Sequence, residues 1–186
     1  MSIESERSRT IDLPNGVTVS VHGRRLVAKG PLGSAERPFP SDVLELAVQG
    51  PRVTLTLRLP PGRKASQALL GTWAAHVRNL GQGLTLGVEA KLKVVAAHFP
   101  MKVAVKGDEL VIENFLGEKY PRTSHLLPGT KAQVEGDIVT LSGTDVEQVG
   151  QSAANIERTT KIREYDPRVF QDGIYLTERA HFKEAA

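Results

Sequence analysis

Apolar and polar residues alternate along short runs in the first half of the chain. Within residues 17–33, valines at every second position alternate with polar residues, and Gly23 separates them from a second apolar run. A period of two is typical of a half-buried strand, and glycine supplies the positive φ that tight hairpin turns need. Residues 17–33 therefore predict a β-hairpin.

The same pattern returns 84 positions later, in residues 101–117. Seven of the fifteen positions from Val19 to Gly33 are identical in the second copy, and all seven are apolar or glycine. Residues 53–55 likewise match 139–141 at an offset of 86. Two unrelated hairpins of similar composition are the alternative, but a sustained repeat predicts a duplicated supersecondary unit.

Two later stretches have a helical period. Apolar residues recur every three or four positions from residue 63 to residue 80, which predicts a helix ended by Asn79 and Gly81. Trp73 lies on its apolar stripe, so we expect it in the core and not as a base-stacking platform. A capping box predicts that a second helix begins at Thr144.

These elements predict an α+β protein of two tandem duplicated domains, each a small, mostly antiparallel sheet packed with one main helix. Alternation over residues 84–98 predicts a long strand that closes the first sheet. The boundaries that we expect are a tail at 1–10, a first domain at 11–90, a second domain at 91–178, and a tail at 179–186.

Composition narrows the class of protein. The chain has 186 residues and no cysteine, which excludes disulfides and thiol chemistry. It has no apolar run of about 18 residues, and its charged first ten residues are unlike a secretory signal. We therefore expect an intracellular, soluble protein with no membrane partner.

Charge is distributed unevenly. The net charge is +3, but residues 52–93 contain seven basic side chains and a single acidic one. Such a block favours a polyanionic partner, although a solvated basic face is an equally good interpretation of charge alone.

No catalytic pattern is present. Gly81, Gly83 and Gly87 lack the spacing and the strand-to-helix order of a phosphate-binding loop. The five histidines are scattered, and no serine lies in a nucleophile elbow. We therefore expect no enzymatic activity, no catalytic residue, no cofactor and no metal.

The segment RVFQDGIY at residues 168–175, followed by Arg179, resembles the C-terminal signature of the sixth large-subunit ribosomal protein family in its archaeal and eukaryotic branch. The duplicated unit is similar to that family's two tandem domains, and the resemblance extends from about Ile11 to Arg179. The lack of extensions to the two domains favours the archaeal branch.

This resemblance implies a structural constituent of the large ribosomal subunit in the cytoplasm. It further implies binding to large-subunit ribosomal RNA near the stalk base and the sarcin–ricin loop, beside neighbouring ribosomal proteins and near docking translational GTPases. A free-standing RNA-binding regulator with the same fold is the alternative.

The family uses its second domain most heavily against RNA, whereas the basic block lies at residues 52–93. We give precedence to the family pattern, because a local cluster of cations can bind RNA within a neutral domain. The predicted RNA-binding residues are Lys102, Lys119, Arg122, Lys161, Arg163, Arg168 and Arg179, with Phe170 and Tyr175 as anchors.

Overall fold

The computed structural model describes residues 8–58, 64–163, 165, 166 and 168–184. The chain divides into two compact units, with the boundary between Leu86 and Gly87. Each unit has its own cluster of buried apolar side chains.

The first unit contains two three-stranded antiparallel sheets and one long helix. Its elements are β1 (Ser8–Asp12), β2 (Thr18–His22), β3 (Arg25–Gly30), β4 (Gly33–Pro38), β5 (Leu44–Gln49), β6 (Arg52–Leu57) and α1 (Lys64–Leu86). The strand orders are β1-β6-β5 and β2-β3-β4. Trp73 is only 8% exposed and packs edge-on against Phe39, which confirms its place in the core.

The second unit repeats this plan and adds one strand. Its elements are β7 (Val88–Val95), β8 (Lys102–Lys106), β9 (Glu109–Glu113), a 3-10 helix (Phe115–Gly117), β10 (Arg122–His125), β11 (Lys131–Glu135), β12 (Ile138–Gly143), α2 (Val146–Thr159) and β13 (Gly173–Phe182). The strand orders are β8-β9-β10 and β11-β12-β7-β13. The predicted α+β class is thereby confirmed, with antiparallel pairing throughout.

Strand register follows the sequence repeat. Val19 pairs with Ala28 in the first hairpin, and Val103 pairs with Ile112, 84 positions later, in the second. The order β1-β6-β5 recurs as β7-β12-β11. Leu55 and its counterpart Leu141 are both fully buried, so the repeat preserves the core as well as the hydrogen-bonded ladder.

The prediction that helix α1 ends at Asn79 and Gly81 is wrong, because the helix continues to Leu86. Gly81 serves close packing, because a Cβ there would lie 3.0 Å from Cδ of Pro14. Gly87, with φ of 78°, has the left-handed conformation that commonly follows a helix.

The strand predicted at residues 84–98 is consequently shorter and belongs to the other unit. Leu84 is a buried residue of α1, and β7 pairs with β12 and β13. The expectation that this strand closes the first sheet is therefore wrong.

The second helix begins one residue later than predicted. Asp145, not Thr144, is the N-cap of α2, and its carboxylate accepts a 2.9 Å hydrogen bond from the amide of Glu147. Beyond the helix, β13 extends to Phe182, so residues 179–182, which we expected in a tail, are part of the sheet. Residues 1–7 of the predicted N-terminal tail, and residue 63 at the start of the predicted first helix, lie outside the described residues.

Candidate nucleic-acid interface

Many cations of the second unit have no carboxylate partner among the residues that the structure describes. From Gly87 onward the sequence has thirteen basic and fifteen acidic residues. Within the described part of the chain, Lys91, Arg122 and Lys183 form ion pairs with carboxylates. No carboxylate partner is recorded there for the other ten, which are Lys93, Lys102, Lys106, Lys119, Lys131, Arg158, Lys161, Arg163, Arg168 and Arg179.

The basic block at residues 52–93 divides at the unit boundary and is partly neutralised. In the first unit, Arg52 pairs with Asp12 at 3.0 Å. In the second, Lys91 lies 3.0 Å from Glu178, and the hydrogen bond and charge of that carboxylate raise the pKa of Lys91. Charge along the sequence therefore overstates how much of this block is available to a polyanion.

A surface depression of about 540 Å³ lies between the C-terminal end of α2 and the start of β13. The Thr160 hydroxyl accepts a 3.0 Å hydrogen bond from the amide of Ile174 and so ties these two elements together. The lining includes Glu157, Arg158, Thr160, Lys161, Ile162 and Tyr175. Two predicted RNA-binding residues, Lys161 and Tyr175, are brought together here.

Arg158 lines the same depression and was absent from the predicted set. It is exposed in the last turn of α2, near the negative end of the helix dipole, where a cation is favoured. Its close spacing to Lys161 and Arg163 in the sequence is a signal that could have identified it.

Arg122 has mainly internal contacts. Its Nε donates to Glu118 at 2.8 Å, its Nη1 donates to the carbonyl of Thr159 at 2.7 Å, and its guanidinium lies 4.3 Å from the ring centre of Phe115. These contacts satisfy a carbonyl at the end of α2, so Arg122 supports one side of the depression. Its partners are separated from it by up to 39 residues, which sequence reasoning could not anticipate.

The other predicted cations are exposed but lie elsewhere. Lys102 begins β8, and Lys119 follows the 3-10 helix. Arg163 and Arg168 follow α2, and Arg179 lies in β13 at a register shift. None of these five lines the depression.

Phe170 anchors the segment before β13. Its ring lies 4.7 Å from that of His98 and 4.7 Å from that of Tyr165, and it packs against the second core. Nearby, the amide of His98 donates to Oδ1 of Asp172 at 2.9 Å, and its Nδ1 lies 2.9 Å from Oδ2. This clasp holds the segment against the end of β7 and leaves the Arg168 side chain in solvent.

Asp172 is almost completely buried. Burial by itself would raise its pKa, but hydrogen bonds from the backbone and ring of His98 and from the backbone of Ala97 outweigh burial, and the pKa of Asp172 is lowered. The carboxylate is therefore a structural anion that holds the clasp closed.

The described residues contain no cluster of histidine and acidic side chains that could hold a metal ion. None of the described helices is long and apolar enough to cross a membrane.

Comparison with known proteins identifies the family. The model of the family described as ribosomal protein L6 matches residues 99–173. Large ribosomal subunit protein uL6 of Methanosarcina mazei is 46% identical over 175 residues, covering 94% of this chain and 98% of the relative.

Similar proteins occur in other archaea. Large ribosomal subunit protein uL6 of Methanospirillum hungatei is 45% identical, over 92% of this chain and 97% of the relative. That of Methanocella arvoryzae is 43% identical, over 95% and 99%. With this identity along nearly the whole length, the chain belongs to the uL6 family of large ribosomal subunit proteins.

Proposed function

We propose that this chain is a structural constituent of the large ribosomal subunit and that it binds large-subunit ribosomal RNA mainly through its second unit. Members of the family are structural proteins and not enzymes. The observation that carries the proposal is the set of exposed cations from Arg158 to Arg179 that have no carboxylate partner among the described residues, beside the depression and along the segment that leads into β13.

Binding to ribosomal RNA depends mainly on contacts between basic side chains and backbone phosphates. Lysine and arginine displace the counterions of the RNA backbone, which makes the affinity strongly dependent on salt. A folded RNA also presents 2′-hydroxyls and shaped loops. Contacts with these features recognise the structure of the RNA more than its base sequence. The exposed side chains of Lys161, Arg163 and Arg168 suit the first role.

The location within the subunit is a finer part of the proposal. The signature at residues 168–179 supports a position near the stalk base and the sarcin–ricin loop, next to other ribosomal proteins and close to where translational GTPases dock. The protein would act in the cytoplasm, as part of the ribosome.

Salt dependence tests the RNA contacts. Lys161→Ala with Arg168→Ala removes two exposed cations, so the slope of log affinity against log salt for a large-subunit rRNA transcript should become shallower by about 1.5. Lys29→Ala with Arg78→Ala removes two exposed cations of the first unit and serves as the matched control, with an unchanged slope expected. An unchanged slope in the first variant would remove these residues from the interface.

Sedimentation separates the ribosomal role from the alternative. The tagged chain, expressed in an archaeal host, should migrate with large subunits. A chain that stays in the free pool and binds a messenger RNA selectively would instead be a regulator.

A further inference from the structure

Tyr175 presents a rigid, exposed ring at the depression. Its hydroxyl donates to the carbonyl of Gln171 at 3.1 Å, yet the residue is 41% exposed. The ring also packs closely over Gly173, where an added Cβ would lie 3.0 Å from Cζ and Oη. Gly173 is not among the glycines with positive φ, so it is the approach of the ring that favours glycine there.

The Tyr175 ring is restrained by its hydrogen bond to Gln171 and by its contact with Gly173, so it loses little conformational freedom when a partner covers its exposed surface. Preorganisation of this kind raises affinity because the ordering has already occurred on folding. A base stacked on an exposed aromatic ring is a common way to bind single-stranded nucleic acid, and it is tolerant of sequence. Tyr175 therefore has the properties of a stacking platform.

The charged side chains that line the depression are of both signs. Arg158 and Lys161 form no ion pair with any carboxylate in the described part of the chain, which leaves them available to phosphates. Glu157 also lines the depression, and its Oε1 accepts a 3.4 Å hydrogen bond from the amide of Leu176. A carboxylate repels a phosphate but accepts hydrogen bonds from the amino or imino groups of a base.

The size of the depression fits one nucleotide. Its volume of about 540 Å³ lies within the range of sites that hold small molecules. A base in a continuous RNA helix is stacked on both sides and cannot enter, whereas a bulged or looped-out base can.

From this geometry we infer that the depression between α2 and β13 takes one unstacked nucleotide of the bound RNA, with its base on the ring of Tyr175, its polar edge toward Glu157 and its phosphates near Arg158 and Lys161. This inference rests on the proposed RNA-binding function and adds to it a recognition element other than phosphate contact. It requires an unpaired base at the contact with β13.

Three variants test it with the same rRNA transcript at several salt concentrations. Tyr175→Ala should weaken binding by about 5- to 150-fold at every salt concentration, the loss typical of one stacked base. Because no cation is removed, the slope of log affinity against log salt should stay the same. Tyr175→Phe keeps the ring and should bind within about threefold of the wild type, since it loses only a hydroxyl that faces Gln171.

Tyr120→Ala is the matched control, because Tyr120 is 79% exposed in the same unit but does not line the depression. Its affinity should equal that of the wild type. Affinity of Tyr175→Ala within twofold of the wild type, or a loss shared by Tyr120→Ala, would overturn the inference. Circular dichroism of each variant shows whether the fold is intact.

Photo-crosslinking gives a second, independent test. A chain with azidophenylalanine at position 175 should crosslink to one nucleotide that chemical probing finds unpaired. Crosslinks confined to a continuous helix, or no crosslink, would overturn the inference. If the wild type binds rRNA and Lys161→Ala with Arg168→Ala flattens its salt slope, only the nucleotide pocket has failed; if the wild type does not bind, the proposed function has failed.

Discussion

Four arginines of the first unit lie at ion-pair distance from a carboxylate, whereas ten cations of the second unit have no such partner among the described residues. Net charge alone would instead favour the first unit as the one that binds RNA. The first unit has eleven basic and six acidic residues, and the second has thirteen and fifteen. The comparison teaches that pairing in the folded chain, more than the sum of charges, determines which cations are free to meet phosphates.

The units also differ by one strand. In the first unit, β1 stands at the edge of the order β1-β6-β5, as far as the described strands show. Its counterpart β7 has β12 on one side and β13 on the other. The added strand and the segment before it contain Arg168, Tyr175 and Arg179, so the candidate interface is built largely from the part of the chain that was not duplicated.

Removal of the added strand should have the largest effect. A chain that ends at Asp172 loses Ile174, which is fully buried, and the partly buried Leu176 and Phe182. At about 1.5–3 kcal/mol for a fully buried side chain, the second unit should lose about 4–6 kcal/mol. Hydrogen exchange of the β7 and β12 amides measures this loss.

The first unit provides the control for this truncation. Fluorescence of Trp73, the sole tryptophan, reports only on the first core, and its urea transition should not move. Unchanged protection of β7 would show that the second unit does not need β13, just as the described part of the first unit has no strand in the equivalent place.

A matched pair of core substitutions sharpens the comparison. Leu55 and Leu141 are equivalent positions and are both fully buried. Leu55→Ala and Leu141→Ala should each cost about 3–5 kcal/mol, because each leaves a cavity in its own core. The first should shift the Trp73 transition, and the second should shift the exchange of β12 amides. Equal shifts of both signals in both variants would contradict separate cores.

A smaller effect is expected at the clasp. Asp172→Asn leaves Oδ1 to accept from the amide of His98 but replaces the acceptor that faces Nδ1 by a donor, which should cost the second unit about 1–3 kcal/mol.

The effect should depend on pH in a defined direction. The pKa of Asp172 is lower in the folded chain than its ordinary value, so its stabilisation is complete above about pH 4 and is lost as the pH falls through the folded value. The difference between wild type and Asp172→Asn in urea unfolding should therefore shrink in acid. A constant difference from pH 7 to pH 3 would contradict this account of the clasp.

The sequence predicts the repeated elements well, because a repeat preserves both the alternation of strands and the buried positions of helices. Leu55 and Leu141 are examples of positions that could be identified in this way. The end of α1 could not, since glycine suits both close packing and helix termination, and only the contact between Gly81 and Pro14 distinguishes the two.

The candidate interface was predictable in part. The family resemblance led to the prediction of Lys161, Arg168 and Tyr175, and the structure leaves all three exposed. The hydrogen bonds of Arg122, and the position of Tyr175 at the same depression as the end of α2, depend on elements far apart in the chain. Such contacts follow from tertiary packing and leave no local pattern in the sequence.

Directed cleavage of rRNA tests most directly whether the second unit faces the RNA. The chain has no cysteine, so Lys161→Cys and Lys29→Cys each create a single attachment point for an iron chelate that generates hydroxyl radicals. In reconstituted large subunits, the probe at position 161 should cleave rRNA strongly near the sarcin–ricin loop, and the probe at position 29 should cleave it weakly. Stronger cleavage from position 29, or none from position 161, would contradict the account.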